Sequence, residues 1–181
     1  MVEMGPFKHK VDDGLEIRKS AFECMYTLLD SCLDKIEIFG FIERVFAGLN
    51  DQHDIKVLAH LMMMRLANVA PTPPNLISFV LILNALDDVE LDDTVEPLKS
   101  TLNHKVKQTA VKQEVEKNQE LVRSALRCIA VLAKLSEPAI TPRFDTFIKE
   151  VKASGLAEEY KAIVADAESK ERRGADYMDL S

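Results

Sequence analysis

The chain has 181 residues, 47% of them apolar and 29% charged, the composition of a folded domain and not of a disordered segment. Six glycines and no tryptophan leave few turn residues and aromatics for a β-sandwich or barrel, so composition leans to helix. A net charge of −7 disfavours general binding to nucleic acid or anionic membrane, and no apolar run approaches the roughly 20 residues of a membrane span.

Residues 1–13 carry mixed charge without an apolar block, unlike a secretory leader. Asp12-Asp13-Gly14 reads as a helix start. From there Leu15, Ala21, Phe22, Met25, Leu28, Leu29, Cys32 and Leu33 recur at helical spacing. After a break at Asp34-Lys35, Ile38, Phe39, Ile42, Val45, Phe46 and Leu49 give a second helix that ends near Asn50. Asp51 or Asp54 caps a third, with Ile55, Leu58, Ala59, Met62, Leu66 and Val69 on its buried face, and Pro71, Pro73 and Pro74 stop it. Within it, Met62-Met63-Met64 reads as core packing, since three consecutive residues point three ways.

Asn75 to Leu86 reads as a fourth helix, apolar nearly all round. Asp87 to Glu96 holds six acids and no base and reads as an exposed loop into a short helix, Val95 to Leu102, with Pro97 in its first turn. Val106 to Leu135 lacks Pro and Gly and reads as one long helix, polar first and striped later by Leu121, Ala125, Cys128, Ile129, Leu132 and Leu135. Its stretch 105–127 is locally basic but lacks the interleaved aromatics that base stacking requires, so a solvated or protein-facing surface is favoured. Two helices follow, Pro142 to Ala153 and Leu156 to about Lys170, then a polar tail over 171–181.

The fold class is therefore all-α. Helix pairs recur about every forty residues, the spacing of HEAT or armadillo units, although the repeats do not look alike in sequence; a globular helical bundle is the competitor. The expected pairing joins the first helix to the second, the third to the fourth or fifth, and the long helix to 142–153. Such a stack would leave an apolar end face including Phe22 and Phe39. Cys24, Cys32 and Cys128 are too few and too scattered for disulfides or zinc and read as buried thiols. No phosphate loop, His-Glu-x-x-His or Gly-x-Ser-x-Gly occurs, so no catalytic, cofactor-binding or metal-binding residue is assigned.

Two long stretches carry a resemblance. MGPFKHKVDDGLEIRKSAFECMYTLLDSCLDKIEIFGF from Met4, and VEPLKSTLNHKVKQTAVKQEVEKNQELVRSALR from Val95 to Arg127, resemble the C-terminal part of the cullin-associated, neddylation-dissociated proteins. The resemblance implies an α-solenoid of HEAT-type pairs, the C-terminal end of a longer superhelix, either cut from it or separately encoded. Between Pro71 and Val95 the chain departs from the family, with Asn75–Asp93 an added loop or an altered helix. The implied organisation is a partial β-hairpin or extended segment over 1–14, HEAT repeats over 15–170, and a frayed tail over 171–181.

What the resemblance implies about function is a non-enzymatic scaffold, without cofactors, in cytoplasm and nucleus. It binds the cullin N-terminal region and competes with the substrate adaptor, regulating assembly and exchange of cullin-RING ubiquitin ligases. The remaining N-terminal part of the same scaffold is a further partner; direct nucleic-acid or membrane contact is not expected. A module for the TATA-binding protein is the alternative. Val2 to Val11 corresponds to the returning part of a β-hairpin that overlaps the adaptor's place, with the outgoing strand upstream of Met1. The expected partner-binding residues are Phe7, Lys8, His9, Lys10 and Val11 on that segment, and Lys107, Lys112 and Arg123 on the basic ridge.

Overall fold

The computed structural model describes residues 2–4, 7–9, 12–68, 91–107, 109–136, 138 and 141–178, with side chains between 12 and 170. The expected helix over 75–86 and the first acids of the 87–96 run lie outside the described residues. Seven helices appear among the described ones: α1 (Leu15–Ser31), α2 (Ile38–Gly48), α3 (His53–Asn68), α4 (Val95–Asn103), α5 (Lys112–Leu132), α6 (Pro142–Ala153) and α7 (Ala157–Met178). One-turn 3-10 helices precede α2 at Leu33–Lys35 and α4 at Leu91–Thr94.

Two short strands stand ahead of the helices. β1 (Val2–Met4) and β2 (Phe7–His9) pair antiparallel, with Val2 opposite His9 and Met4 opposite Phe7. The expectation of a returning strand whose partner lies upstream of Met1 is thus replaced by a pairing closed within residues 2–9. The two residues between the strands are Gly5 and Pro6, both turn formers.

Local chemistry accounts for the starts of α1 and α2. Asp12 accepts the Gly14 amide at 3.2 Å just before α1. Glu37, which sequence reading did not single out, caps α2 by accepting the amides of Phe39 and Gly40 at 3.1 and 2.8 Å. The long helix begins at Lys112, not Val106: its polar first stretch offers no apolar face to bury, so nothing holds 104–111 in helix. At the other end α7 continues past Lys170 to Met178.

Helices α1, α3, α5 and α7 stand in a row, each packed on the next, with α2 against α3, α4 against α5, and α6 against α7. The most extensive interface is α3 with α5. The long helix therefore pairs with α3, α4 and α7; periodicity shows that a face is buried but not what covers it, which is why the expected pairing with 142–153 fails. One continuous core of Ile42, Leu49, Met62, Leu98, Leu126, Ile129 and Phe144 runs through the stack. Met62 and Met63 are buried and Met64 half-buried, as expected of core methionines.

Aligning the row helices uncovers a repeat that side-by-side reading of whole pairs misses. Ile17, Ala21, Cys24, Met25 and Leu28 of α1 correspond to Ile55, Ala59, Met62, Met63 and Leu66 of α3, and to Leu121, Ala125, Cys128, Ile129 and Leu132 of α5. The small residue lets neighbouring backbones approach. At the interface, a Cβ added to Gly48 of α2 would meet Phe22 Cζ at 2.7 Å and Ala59 Cβ at 3.2 Å. Phe22 is thus turned inward, against the expectation of an exposed end face; Phe39 remains exposed.

Two polar devices fix the stack. Arg18 donates through Nε and Nη2 to the two carboxylate oxygens of Asp51, both at 2.8 Å, and through Nη1 and Nη2 to Asp12 at 3.1 and 2.7 Å. Asp12 precedes α1 and Asp51 precedes α3, so one guanidinium ties the turns of successive row helices. It holds the Asp51 carboxyl below the usual range. Asp92, expected in an exposed acidic loop, is buried: it accepts the amides of Phe144 and Arg143, at 2.7 and 3.2 Å, capping α6 from a distant segment. Asp93 and Glu96 are exposed.

Candidate protein-interaction surfaces

Asp12, the first described residue after the strands, enters the Arg18 bridge, which ties the α1 entry to the α2–α3 turn. A second chain of contacts starts one residue further on. Lys19 Nζ lies 3.2 Å from Asp54, whose other carboxylate oxygen lies 2.9 Å from His53 Nδ1. The opposite ring nitrogen of His53 lies 2.9 Å from the Lys117 carbonyl on α5. Together these contacts join the second turn of α1, the start of α3 and the polar half of α5. The Asp54 carboxyl is held low by His53 first and, after desolvation opposes it, by Lys19.

Phe7, Lys8 and His9 make up β2, while Lys10 and Val11 lie outside the described residues. Lys107 is exposed in the non-helical link before α5. Lys112 opens α5, is exposed and lies 3.5 Å from Glu116. Arg123, three turns further, donates to Glu159 of α7 at 3.0 Å, so its charge is engaged across the α5–α7 seam. The ridge is therefore two regions: an exposed lysine-bearing end around Lys107 and Lys112, beside exposed Val111 and Val115, and a middle where Arg123 is paired across the α5–α7 seam.

The contact of His60 Nδ1 with Ser124 Oγ, at 3.2 Å, joins two buried side chains at the α3–α5 interface. Its far nitrogen, Nε2, is buried without a partner, so no third group orients the ring as a base. Burial first, and Lys56 second, push His60 down to about 4. Among the described residues no cluster of three His, Cys, Asp or Glu side chains could hold a metal, and no helix is long and apolar enough to cross a membrane. Of the cysteines only Cys128 is buried as expected; Cys32 is half-buried and Cys24 exposed.

Residues 1–152 match the family described as TATA-binding protein interacting (TIP20). The chain belongs to this family. Its relatives include the cullin-associated NEDD8-dissociated protein 1 of Dictyostelium discoideum, 44% identical over 91% of the chain and 12% of the relative. The cullin-associated NEDD8-dissociated protein 2 of Rattus norvegicus is 42% identical over 99% of the chain and 13% of the relative. A protein of Emericella nidulans called cullin-associated NEDD8-dissociated protein 1, C-terminal part, is 40% identical over 74% of the chain and 12% of the relative. The chain thus spans about an eighth of the length of these relatives and corresponds to the family's C-terminal domain, an all-α HEAT-type solenoid.

Sequence reading does not single out the anchors Arg18 and Asp51. Arg18 and Asp51 stand 33 residues apart, and nothing local marks them as partners. His53 reaches the Lys117 carbonyl across 64 residues, again with no local mark in the sequence. The signal that could have found Arg18 is the repeat itself, which places Lys56 of α3 at the same position.

Proposed function

We propose that this chain is a non-enzymatic scaffold module that binds the N-terminal region of a cullin and competes there with the substrate adaptor, so regulating assembly and exchange of cullin-RING ubiquitin ligases. The single observation that carries the reading is identity above 40% to proteins named cullin-associated NEDD8-dissociated, across nearly the whole chain. The fold supports it: a helical stack with an appended hairpin presents surface without a reactive centre. The hairpin supplies the competing element, with Phe7 as aromatic anchor and Lys8, His9, Lys10 and Val11 beside it. Lys107 and Lys112 supply a second contact that steers an acidic partner, and Arg123 joins them by exchanging Glu159 for a partner carboxylate. The module acts in cytoplasm and nucleus, with no direct nucleic-acid or membrane contact.

The test is biolayer interferometry on an immobilised cullin N-terminal region, free and adaptor-loaded. Binding to the free region that falls when adaptor is loaded is the expected result, with Phe7→Ala, Lys8→Ala and Lys10→Ala together weakening it. Equal binding to both, or none, overturns the reading. The family's description favours one second reading, a module for the TATA-binding protein. Binding to immobilised TATA-binding protein in place of the cullin would select it.

A further inference from the structure

Three of the row helices enclose a recess. His53 meets Lys117 and His60 meets Ser124 at the same 64-residue offset, so α3 and α5 run parallel, and the Arg123–Glu159 bond sets α7 alongside. Between them lies a groove of about 1220 Å³, bounded by Met64 and Asn68 at the end of α3, by α5 and its exit from Arg123 to Lys134, and by α7 from Ala157 to Lys170. Its floor is apolar and half-buried: Met64, Val131, Ala133, Ile163 and Val164. Ala130 on one wall and Ala162 and Ala165 on the other end in methyl groups, so these walls do not close on each other.

The rim is basic in an acidic protein. Among the described residues six bases and four acids line the groove, against 23 and 30 in the whole chain. Two of the acids are already engaged, Glu159 by Arg123 and Asp166 by Lys170. Arg127, Lys152 and Lys161 are exposed and have no ion-pair partner among the described residues.

Size and chemistry select the occupant. The volume exceeds the roughly 300–1,000 Å³ of small-molecule pockets. The walls are helices, whose backbone groups are bonded within them, so no free edge offers hydrogen bonds to an extended chain. An occupant has to satisfy its own backbone, as a helix does. An apolar floor with unpaired cations on its rim calls for an apolar stripe bordered by carboxylates. The chain beyond the groove does not turn back into it, because α7 continues as one helix to Met178.

We propose that the groove between α3, α5 and α7 is a docking site for an acidic amphipathic helix of a partner protein. Its apolar stripe lies on Met64, Val131 and Val164, and its carboxylates meet Arg127 and Lys161. The site shares only Arg123 with the interaction residues assigned above, and it stands whether or not the hairpin contacts a cullin.

The probe is a fluorescein-labelled synthetic helix with leucines on one face and glutamates on the other, titrated with the full chain and read by fluorescence anisotropy. Saturable binding is expected, with none for the same peptide carrying lysines in place of glutamates. The variant R127E with K161E should weaken binding by about tenfold or more while leaving helical circular dichroism unchanged, because both side chains are exposed and unpaired. K35E with K105E makes the same change in net charge at exposed lysines outside the groove and should leave binding unchanged. A benzophenone on the leucine face should crosslink to Met64 or to residues 157–168. Absence of binding overturns the proposal. So does an equal loss in both double variants, or crosslinks confined to other helices. A dimer of the chain alone, dissolved by R127E with K161E and unaffected by the peptide, assigns the groove to a second copy and also overturns it.

Discussion

The carboxylate of Asp92 lies 2.7 Å from the backbone nitrogen of Phe144, reaching from the turn before α4 to the first turn of α6. Pro142 supplies no N–H at that helix start, so the amides of Arg143 and Phe144 are the ones in need of an acceptor. An acid from a distant segment answers them, and an element link becomes a tertiary one.

Asp92→Ala should therefore destabilise the fold by about 1–2 kcal/mol, the usual cost of losing an N-cap. Asp92→Asn, which keeps one acceptor oxygen, should cost less. Urea denaturation followed by circular dichroism reads both. An unchanged midpoint for Asp92→Ala would show that water satisfies the α6 amides equally well.

Gly48 is where α2 admits Phe22. Gly48→Ala places a methyl carbon against that ring, so an overpacking cost of about 1–3 kcal/mol is expected. Phe22→Leu in the same chain should recover part of it, giving a favourable coupling in a double-mutant cycle. Additive losses would mean the two residues do not share the notch.

His60 makes stability depend on acidity. Its folded-state value, pushed down to about 4, lies below its ordinary 6.5. The unfolded chain therefore takes up this proton first as pH falls. The stabilisation is complete above 6.5 and is lost as pH drops toward 4. His60→Leu should flatten the stability profile in that window, measured as unfolding free energy at several pH values. Asp51 and Asp54, whose folded values are lowered, act at more acidic pH and should leave their slope in both proteins. A variant with the same slope between 6.5 and 4 would remove His60 from the account.

Thiol reactivity should rank the three cysteines. Cys24 is exposed, Cys32 half-buried, and Cys128 is buried with its thiol pushed up to about 12 by desolvation. A coloured disulfide reagent on the native protein should modify Cys24 fastest and Cys32 more slowly, with Cys128 reacting only on unfolding. Equal rates for Cys24 and Cys128 in the native state would contradict the packing of α5.

The helices were legible wherever apolar spacing and a stop signal coincided. Ile38 to Leu49 and His53 to Asn68 are read almost to the residue, because a polar turn holding Asp51 divides them and prolines follow Asn68. Residues 105–111 misled because absence of Pro and Gly permits a helix without supplying a face to bury. Asp92 misled because six acids within ten residues look solvated, and only the amides of α6, about fifty residues away, single out one of them. The faces of α1 were the hardest. Phe22 and Leu28 both belong to the helical pattern, and sequence alone does not say which side meets another helix. Of the expected interaction residues, Lys107 and Lys112 are exposed, as a polar stretch suggests, but the engagement of Arg123 by Glu159 depends on how α7 returns along α5.

Arg18 gathers two acids of like charge, one from each of two successive turns, around a single cation. Such a rung couples both turns through one side chain. Arg18→Ala leaves Asp12 and Asp51 as neighbouring like charges without the cation between them, so one substitution turns a shared attraction into repulsion at the α1–α3 seam.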